Sequence, residues 1–331
     1  MNITFGFFLD WPSYLYKLKY NITITPFNDY TLNNIINFNM SRNLFCIMPN
    51  NISHNNISHN NISYSTPHIT PHTTPHTTPH TILNTTPNTT PNTTPNTTPQ
   101  LTYQKSPQNK FLIIPCSVSE MYLCNKYNKS DNIICCKDDN IINLLDNKLE
   151  FYLWMYKNNL YKYIPKLFFA NYNNINNNYS PIVYPAIVKN IYGTSGTNSS
   201  ILYNNNLYYN NFSNYLIQEY IIDSIEYSCH LYIKKGIIVY YIIFSVKINY
   251  SSYYISHGEL IDYNILNNFK YINVFELIFR KLNYSGFACI DFKLTNNNLY
   301  IFEINPRLGS SIIKNKKYLE EMLDRVILYF D

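Results

Sequence analysis

Glycine is the residue this sequence uses least freely, with 7 in 331 positions. Those that remain mark backbone positions where another residue fits poorly. The 7 cysteines form no CxxC pair, and an odd, scattered set fits a reducing compartment better than a disulfide framework. The adjacent Cys135 and Cys136 read as buried strand thiols, not as a metal or redox pair. Charge is sparse as well: 14% of residues are Asp, Glu, Lys or Arg, and the formal net charge is +5. No run of Lys and Arg interleaved with aromatics occurs, which excludes the usual nucleic-acid footprint. No 18-residue apolar stretch is present, so no membrane span is expected. The opening MNITFGFFLDWPSYLYKLKY lacks the basic start, apolar middle and small-residue cleavage site of a secretory signal. The expected address is therefore the cytoplasm.

What is present is ample for a core: 46% of residues are hydrophobic, and 34 are Tyr. The excess of Asn, Ile and Tyr reads as base composition leaking into tolerant positions. Residues 50–100 are low in complexity, with NNISH repeating at period five and then TPHT and TTPN units at period four. Proline at every fourth position forbids a helix or a central strand, and few apolar side chains offset the chain entropy. The stretch is expected to be a disordered or extended insert. Its histidines (His54, His59, His68, His72, His76 and His80) read as repeat expansion. Sequons such as Asn51, Asn56 and Asn61 follow from Asn richness alone.

Outside the insert, FLIIPCS (111–117) and IICC (133–136) predict short buried strands around a helix that starts near Ser119. Residues 139–158 turn helical, with Leu144, Leu145, Leu149, Tyr152 and Leu153 at three- and four-residue steps. Strands are predicted at 184–190, 216–222, 226–233, 237–248, 287–294 and 299–305. Helices are predicted at 268–283, where Ile272, Phe275, Phe279 and Leu282 share a face, and at 314–329. This alternation predicts an α+β fold with antiparallel sheet, not a doubly wound one.

The chemistry gathers in two places. Gly193, Ser195 and Gly196 lie in YGTSGTNSS, after the strand that carries Lys189. Such a loop offers backbone N–H groups and hydroxyls without bulk, which suits phosphates, although alone it is also an ordinary turn. Asp291, Glu303 and Asn305 lie on two strands joined by TNNN (295–298). Glu303 and Asn305 share a face by period two, and Asp291 becomes a cross-strand neighbour if the hairpin pairs tightly. Two carboxylates and an amide among apolar residues make a hard-cation site of the kind magnesium shares with nucleotide phosphates. Arg307, two residues on, could hold a phosphate or carboxylate with its planar fork.

In this order, Lys148, Lys189, the Gly-rich loop, QEYIIDSIE (218–226), CIDF (289–292) and FEINPRLGSS (302–311) resemble the ATP-grasp superfamily. The likeness is strongest to the branch of carbamoyl-phosphate synthetase and biotin carboxylase, whose last motif reads E-x-N-P-R-x-G-G-S. It covers roughly residues 140–315. The resemblance implies an ATP-grasp fold of two α+β subdomains over 139–331. A degenerate α/β domain over 1–49 and 101–138 would precede it, interrupted by the 50–100 insert.

The likeness also implies roles. Lys148 and Lys189 match the two nucleotide-phosphate lysines. Gln218, Glu219, Tyr220 and Ile221 match the strand that reads adenine, and Glu226 takes the ribose position. Asp291, Glu303 and Asn305 match ligands of magnesium, with manganese as a substitute. Arg307 matches the residue that steadies the transferred phosphate or the substrate carboxylate. Ser310 stands where the family has a second Gly, and Asp291 where a longer carboxylate is common. The implied activity is an ATP-dependent carboxylate ligase of carboxylate–amine or thiol type. It would act through an acylphosphate on small-molecule carboxylates and amines, with no nucleic-acid or membrane partner. The alternatives are a non-catalytic nucleotide-binding relic and a scaffold whose insert is the working part.

Overall fold

Two antiparallel five-stranded sheets dominate the structure, a computed structural model. It describes residues 2–5, 18–19, 21–24, 111–126, 132–172, 175–193, 199–204, 214–223, 225–247, 259–262 and 269–329. The 50–100 repeat, most of 1–49, and Ser195 and Gly196 lie outside the described residues. Every described element belongs to one compact unit.

The strands are β1 (Asn2–Phe5), β2 (Asn21–Ile24), β3 (Phe111–Ile114), β4 (Leu167–Tyr172), β5 (Ile175–Asn178), β6 (Ala186–Asn190) and β7 (Ser199–Leu202). They continue with β8 (Tyr215–Glu219), β9 (Ile225–Lys234), β10 (Ile237–Lys247), β11 (Glu259–Asp262), β12 (Gly286–Thr295) and β13 (Asn298–Asn305). The helices are α1 (Val118–Lys126), α2 (Asp139–Asp146), α3 (Lys148–Lys157), α4 (Ile272–Leu282), α5 (Ser310–Ile313) and α6 (Lys316–Leu328). One antiparallel sheet runs β5-β4-β8-β6-β7, the other β11-β10-β9-β12-β13. A small parallel sheet runs β2-β1-β3. The α+β reading with antiparallel sheets is thus the architecture found.

The small parallel sheet has no core of its own. Ile3, Phe5, Leu112 and Ile114 pack with Phe244, Leu308, Ile312 and Leu319. Ile113 joins a second cluster with Leu145, Phe275, Phe279 and Ile290. A parallel sheet buried on both faces needs apolar runs, and FLII supplies one. Strand β8 of one large sheet instead sends alternate side chains to different clusters. Tyr215 and Ile217 of β8 pack with Phe168, Val188 and Leu202, and Leu216 enters the larger core.

Two expectations are corrected. IICC forms no strand: Ile133 makes a single parallel bridge to Ile113, while Cys135 and Cys136 stay buried as free thiols in irregular backbone. The helical run 139–158 breaks at Asn147, whose backbone is extended (φ −91°, ψ 104°). Its side-chain Oδ1 accepts the N–H of Glu150 at 3.0 Å, capping α3. Its own N–H closes α2 on the Asn143 carbonyl at 3.0 Å. A cap residue within a periodic apolar pattern won over the pattern itself. Among the described residues no helix is long and apolar enough to cross a membrane.

Candidate functional site

The hairpin β12–β13 builds the floor of the site, and its register decides which side chains meet. From the turn, Thr295 pairs with Asn298 and Phe292 with Ile301. A regular ladder would continue by setting Asp291 opposite Phe302 and sending Glu303 to the other face. The register shifts instead, and Asp291 pairs with Glu303 and Cys289 with Asn305. Phe302 is the extra residue of this β-bulge. Ile301 and Ile304 consequently point into the core, while Phe302, Glu303 and Asn305 are only partly buried. The carbonyl of Phe302 accepts a hydrogen bond from the buried Tyr152 hydroxyl of α3 at 3.1 Å.

Three polar groups then converge. The Asn305 amide donates to Glu303 Oε1 at 3.1 Å and reaches Asp291 Oδ2 at 3.4 Å. Ser228, opposite Asp291 on β9, donates its hydroxyl to Asp291 Oδ1 at 2.7 Å. Burial pushes the Asp291 carboxyl well above the usual carboxylate range, and the neighbouring carboxylates of Glu303 and Glu226 add to the effect. Glu303 goes the other way. Burial alone would raise it, but the Lys148 and Lys189 charges and the Asn305 amide outweigh that and bring it to about 2.

Lys148 is the first residue of α3, so the break at Asn147 aims it. Its Nζ pairs with Glu303 Oε2 at 2.9 Å and donates to the Gly193 carbonyl at 2.8 Å. Its backbone N–H reaches the Ile191 carbonyl at 3.1 Å. Gly193 sits at φ +121° with open space where a Cβ would lie, so the dihedral and not crowding requires glycine. Asn147 also donates to the Tyr192 hydroxyl at 2.9 Å, tying the cap to the start of the Gly-rich loop.

Lys189, on β6, lies 4.7 Å from the centre of the Phe302 ring. Burial lowers its ammonium to about 8 against the attraction of Glu303 and Glu226. Glu226, at the start of β9, is pushed up to about 7 by burial, with Lys293 and Lys189 restraining the rise. Arg307, 8% exposed, donates to the Leu308 carbonyl at 3.0 Å and to Asn305 Oδ1 at 3.5 Å. It therefore stands at the far side of the same amide that holds Glu303.

The strand end 218–221 lies at the other end of the site. Gln218 is 1% exposed, and its carboxamide has no well-formed hydrogen bond; the neighbouring Tyr152 hydroxyl gives its proton to Phe302. Glu219 exchanges backbone and side-chain bonds with Lys166, its Oε2 accepting the Lys166 N–H at 3.3 Å. Tyr220 and Ile221 follow in the connector from β8 to β9. The structure thus brings Lys148, Gly193, Asp291, Glu303, Asn305 and Arg307 together by direct bonds. Lys189 and Glu226 join them by charge. Ser195 and Gly196 lie outside the described residues.

Sequence reasoning missed four residues here. Lys293 follows Asp291 by two on one strand, so alternation alone placed it on the same face. Ser228 required the β9–β12 register, and Tyr152 required the bulge. Asp146, at the end of α2, has a carboxyl raised by burial and lies within electrostatic reach of Lys148, Arg307 and Glu303. No sequence signal marked it. His230, near this strand, is a fully buried packing residue: Nε2 lies 2.6 Å from Ser311 Oγ, and burial drops its pKa to about 3.

Among the described residues no group of three or more His, Cys, Asp and Glu side chains is placed to hold a metal. The oxygen set is two carboxylates and one amide. Its chemistry nonetheless fits a hard cation, since two facing carboxylates at such cost to Asp291 are relieved by positive charge.

The family described as the ATP-grasp domain matches residues 145–311, half of the chain. No curated protein sequence gives a significant match. Solved structures of similar fold include an L-amino acid ligase from Bacillus licheniformis, with 11% identity and a TM-score of 0.44 over 61% of this chain and 50% of that one. A D-alanine–D-alanine ligase from Bacillus anthracis in complex with ATP gives 14% identity and 0.46 over 67% and 87%. Phosphoribosylamine–glycine ligase from Thermotoga maritima gives 15% and 0.47 over 65% and 61%.

Proposed function

The chain belongs to the ATP-grasp family, and from that premise we propose that it is an ATP-dependent ligase. In this reading it activates a small-molecule carboxylate as an acylphosphate for attack by an amine or thiol. The observation that carries the reading is the Lys148–Glu303–Asn305–Arg307 chain of contacts, which runs along one sheet face opposite Asp291.

Phosphoryl transfer needs positioning and charge neutralisation more than a covalent residue. Lys148 and Lys189 supply positive charge from two different elements, α3 and β6. Arg307, oriented through Asn305, is the group available to a transferring phosphoryl oxygen or a substrate carboxylate. Asp291, Glu303 and Asn305 would hold magnesium, or manganese in its place, which would supply positive charge against the nucleotide phosphates. Gln218 to Ile221 line the nucleobase end, and Glu226 faces the ribose. In this reading residues 139–331 form the ATP-grasp domain, and 1–49 with 101–138 are the remnant of a preceding α/β domain.

A thermal-shift titration with ATP, with and without magnesium, tests the site independently of the substrate. ATP at about a hundred times its dissociation constant stabilises the fold by roughly 2.7 kcal/mol, a visible shift. Glu303→Ala is expected to remove the magnesium-dependent part of that shift while the protein stays folded. A normal magnesium response in the variant would overturn the assignment of Glu303. No response in the folded wild type would leave the scaffold reading in its place.

A further inference from the structure

Between β8 and β9 the chain crosses from one large sheet to the other, and the carbonyls of this connector have no strand ladder to satisfy them. Lys293 does so. This residue of β12 is 3% exposed, and its Nζ donates to the Ile221 carbonyl at 3.2 Å and to the Asp223 carbonyl at 2.6 Å. The same ammonium lies 5.8 Å from the Tyr220 ring and 5.9 Å from the Phe302 ring. Phe302 is the bulge residue whose ring also faces Lys189.

A methionine or leucine would suit a buried sheet position at least as well, because burying an ammonium is unfavourable unless it is well bonded. Packing therefore gives no reason for a lysine here. Its hydrogen bonds do: they fasten the connector to the strand that bears Asp291, and with it the strand end that carries Gln218 and Glu219. We propose that Lys293 is a positioning residue that clamps residues 220–223 onto β12 and thereby sets affinity at the nucleobase end of the site. The proposal rests on the nucleotide-binding reading above. It assigns Lys293 to the base and not to the phosphates, although it is a cation on the same face as the carboxylates.

Binding of adenosine, ADP and ATP to the full chain, measured by calorimetry for wild type, Lys293→Met and Lys293→Gln, separates the two assignments. With the clamp lost in Lys293→Met, all three ligands weaken by one common factor of about ten, and the magnesium enhancement of ATP binding keeps its ratio. Lys293→Gln, which can still donate to one carbonyl, falls between. Hydrogen exchange at residues 219–226 speeds up in both variants. A loss confined to ATP and ADP would overturn the proposal, because it would make Lys293 a phosphate ligand. Unchanged exchange in the connector would overturn it too. If wild type binds no nucleotide, the ligase reading fails by itself, and the exchange measurement alone decides whether the clamp exists.

Discussion

Lys189 shows how the site stores charge at the scale of one residue. Its ammonium is buried against Phe302, which holds it near 8 in place of an ordinary 10.5. A triphosphate favours the charged form. Below pH 8 Lys189 is already protonated and binding takes up no proton there. Above pH 8 each binding event must add one, so ATP affinity should fall as pH rises, by up to about tenfold per unit. The nucleoside adenosine lacks phosphates and should show no such fall. Lys189→Met is expected to weaken ATP more than adenosine and to flatten the ATP profile above pH 8. An unchanged slope in the variant, read by calorimetry from pH 7 to 9.5, would place the titrating group elsewhere. Asp291 bears the opposite strain: its carboxyl is driven up by burial and by Glu303. Such a placement is unfavourable for stability alone, as functional sites often are.

At the scale of elements, one bulge and one helix break aim the site. The bulge at Phe302 leaves a carbonyl outside the ladder, and the Tyr152 hydroxyl from α3 satisfies it. Tyr152→Phe removes only that donor from a fully buried ring. The orphaned carbonyl should cost about 1–3 kcal/mol, and the melting temperature should drop by several degrees. The magnesium-dependent ATP response should weaken as well, since the bulge sets Glu303 opposite Asp291. An unshifted melt would mean the bulge does not need Tyr152. The same two features mark the limit of legibility. Alternation in FACIDF and YIFEIN was enough to identify both strands and the shared face of Glu303 and Asn305. It could not show that Asp291 and Glu303 meet only because one residue is inserted between Ile301 and Glu303. Likewise the apolar spacing of 139–158 identified helix, but the Asn147 cap that turns Lys148 toward Glu303 was hidden within it. Strands β5 and β7 escaped notice because INNN and SSIL are four-residue segments with little apolar alternation, although each pairs with a neighbour in sequence, β4 and β6; β4 (LFFANY) also pairs with the more distant β8.

At the scale of the molecule, strands from both sides of the low-complexity stretch meet on one strand: β1 pairs with β2 and with β3. The chain leaves at Ile24 and returns at Phe111, and both ends are fixed by parallel register. The closure entropy of such a connection grows only with the logarithm of its length. Removing residues 50–100 should therefore change stability by less than about 1 kcal/mol, slightly in favour of the shorter chain. Apolar side chains are sparse in the repeat sequence, whereas Ile3, Phe5 and Leu112 of the small sheet are wholly buried. If the working part of the molecule is the nucleotide site, deletion of 50–100 should leave both the melting temperature and its shift with magnesium and ATP as they are in wild type. The two readings of the protein part at this measurement. A deletion variant that still melts like wild type but no longer responds to ATP would tie nucleotide binding to the repeat. Retained response would remove the scaffold reading for the ATP site and confine its chemistry to Lys148, Lys189, Asp291, Glu303, Asn305 and Arg307.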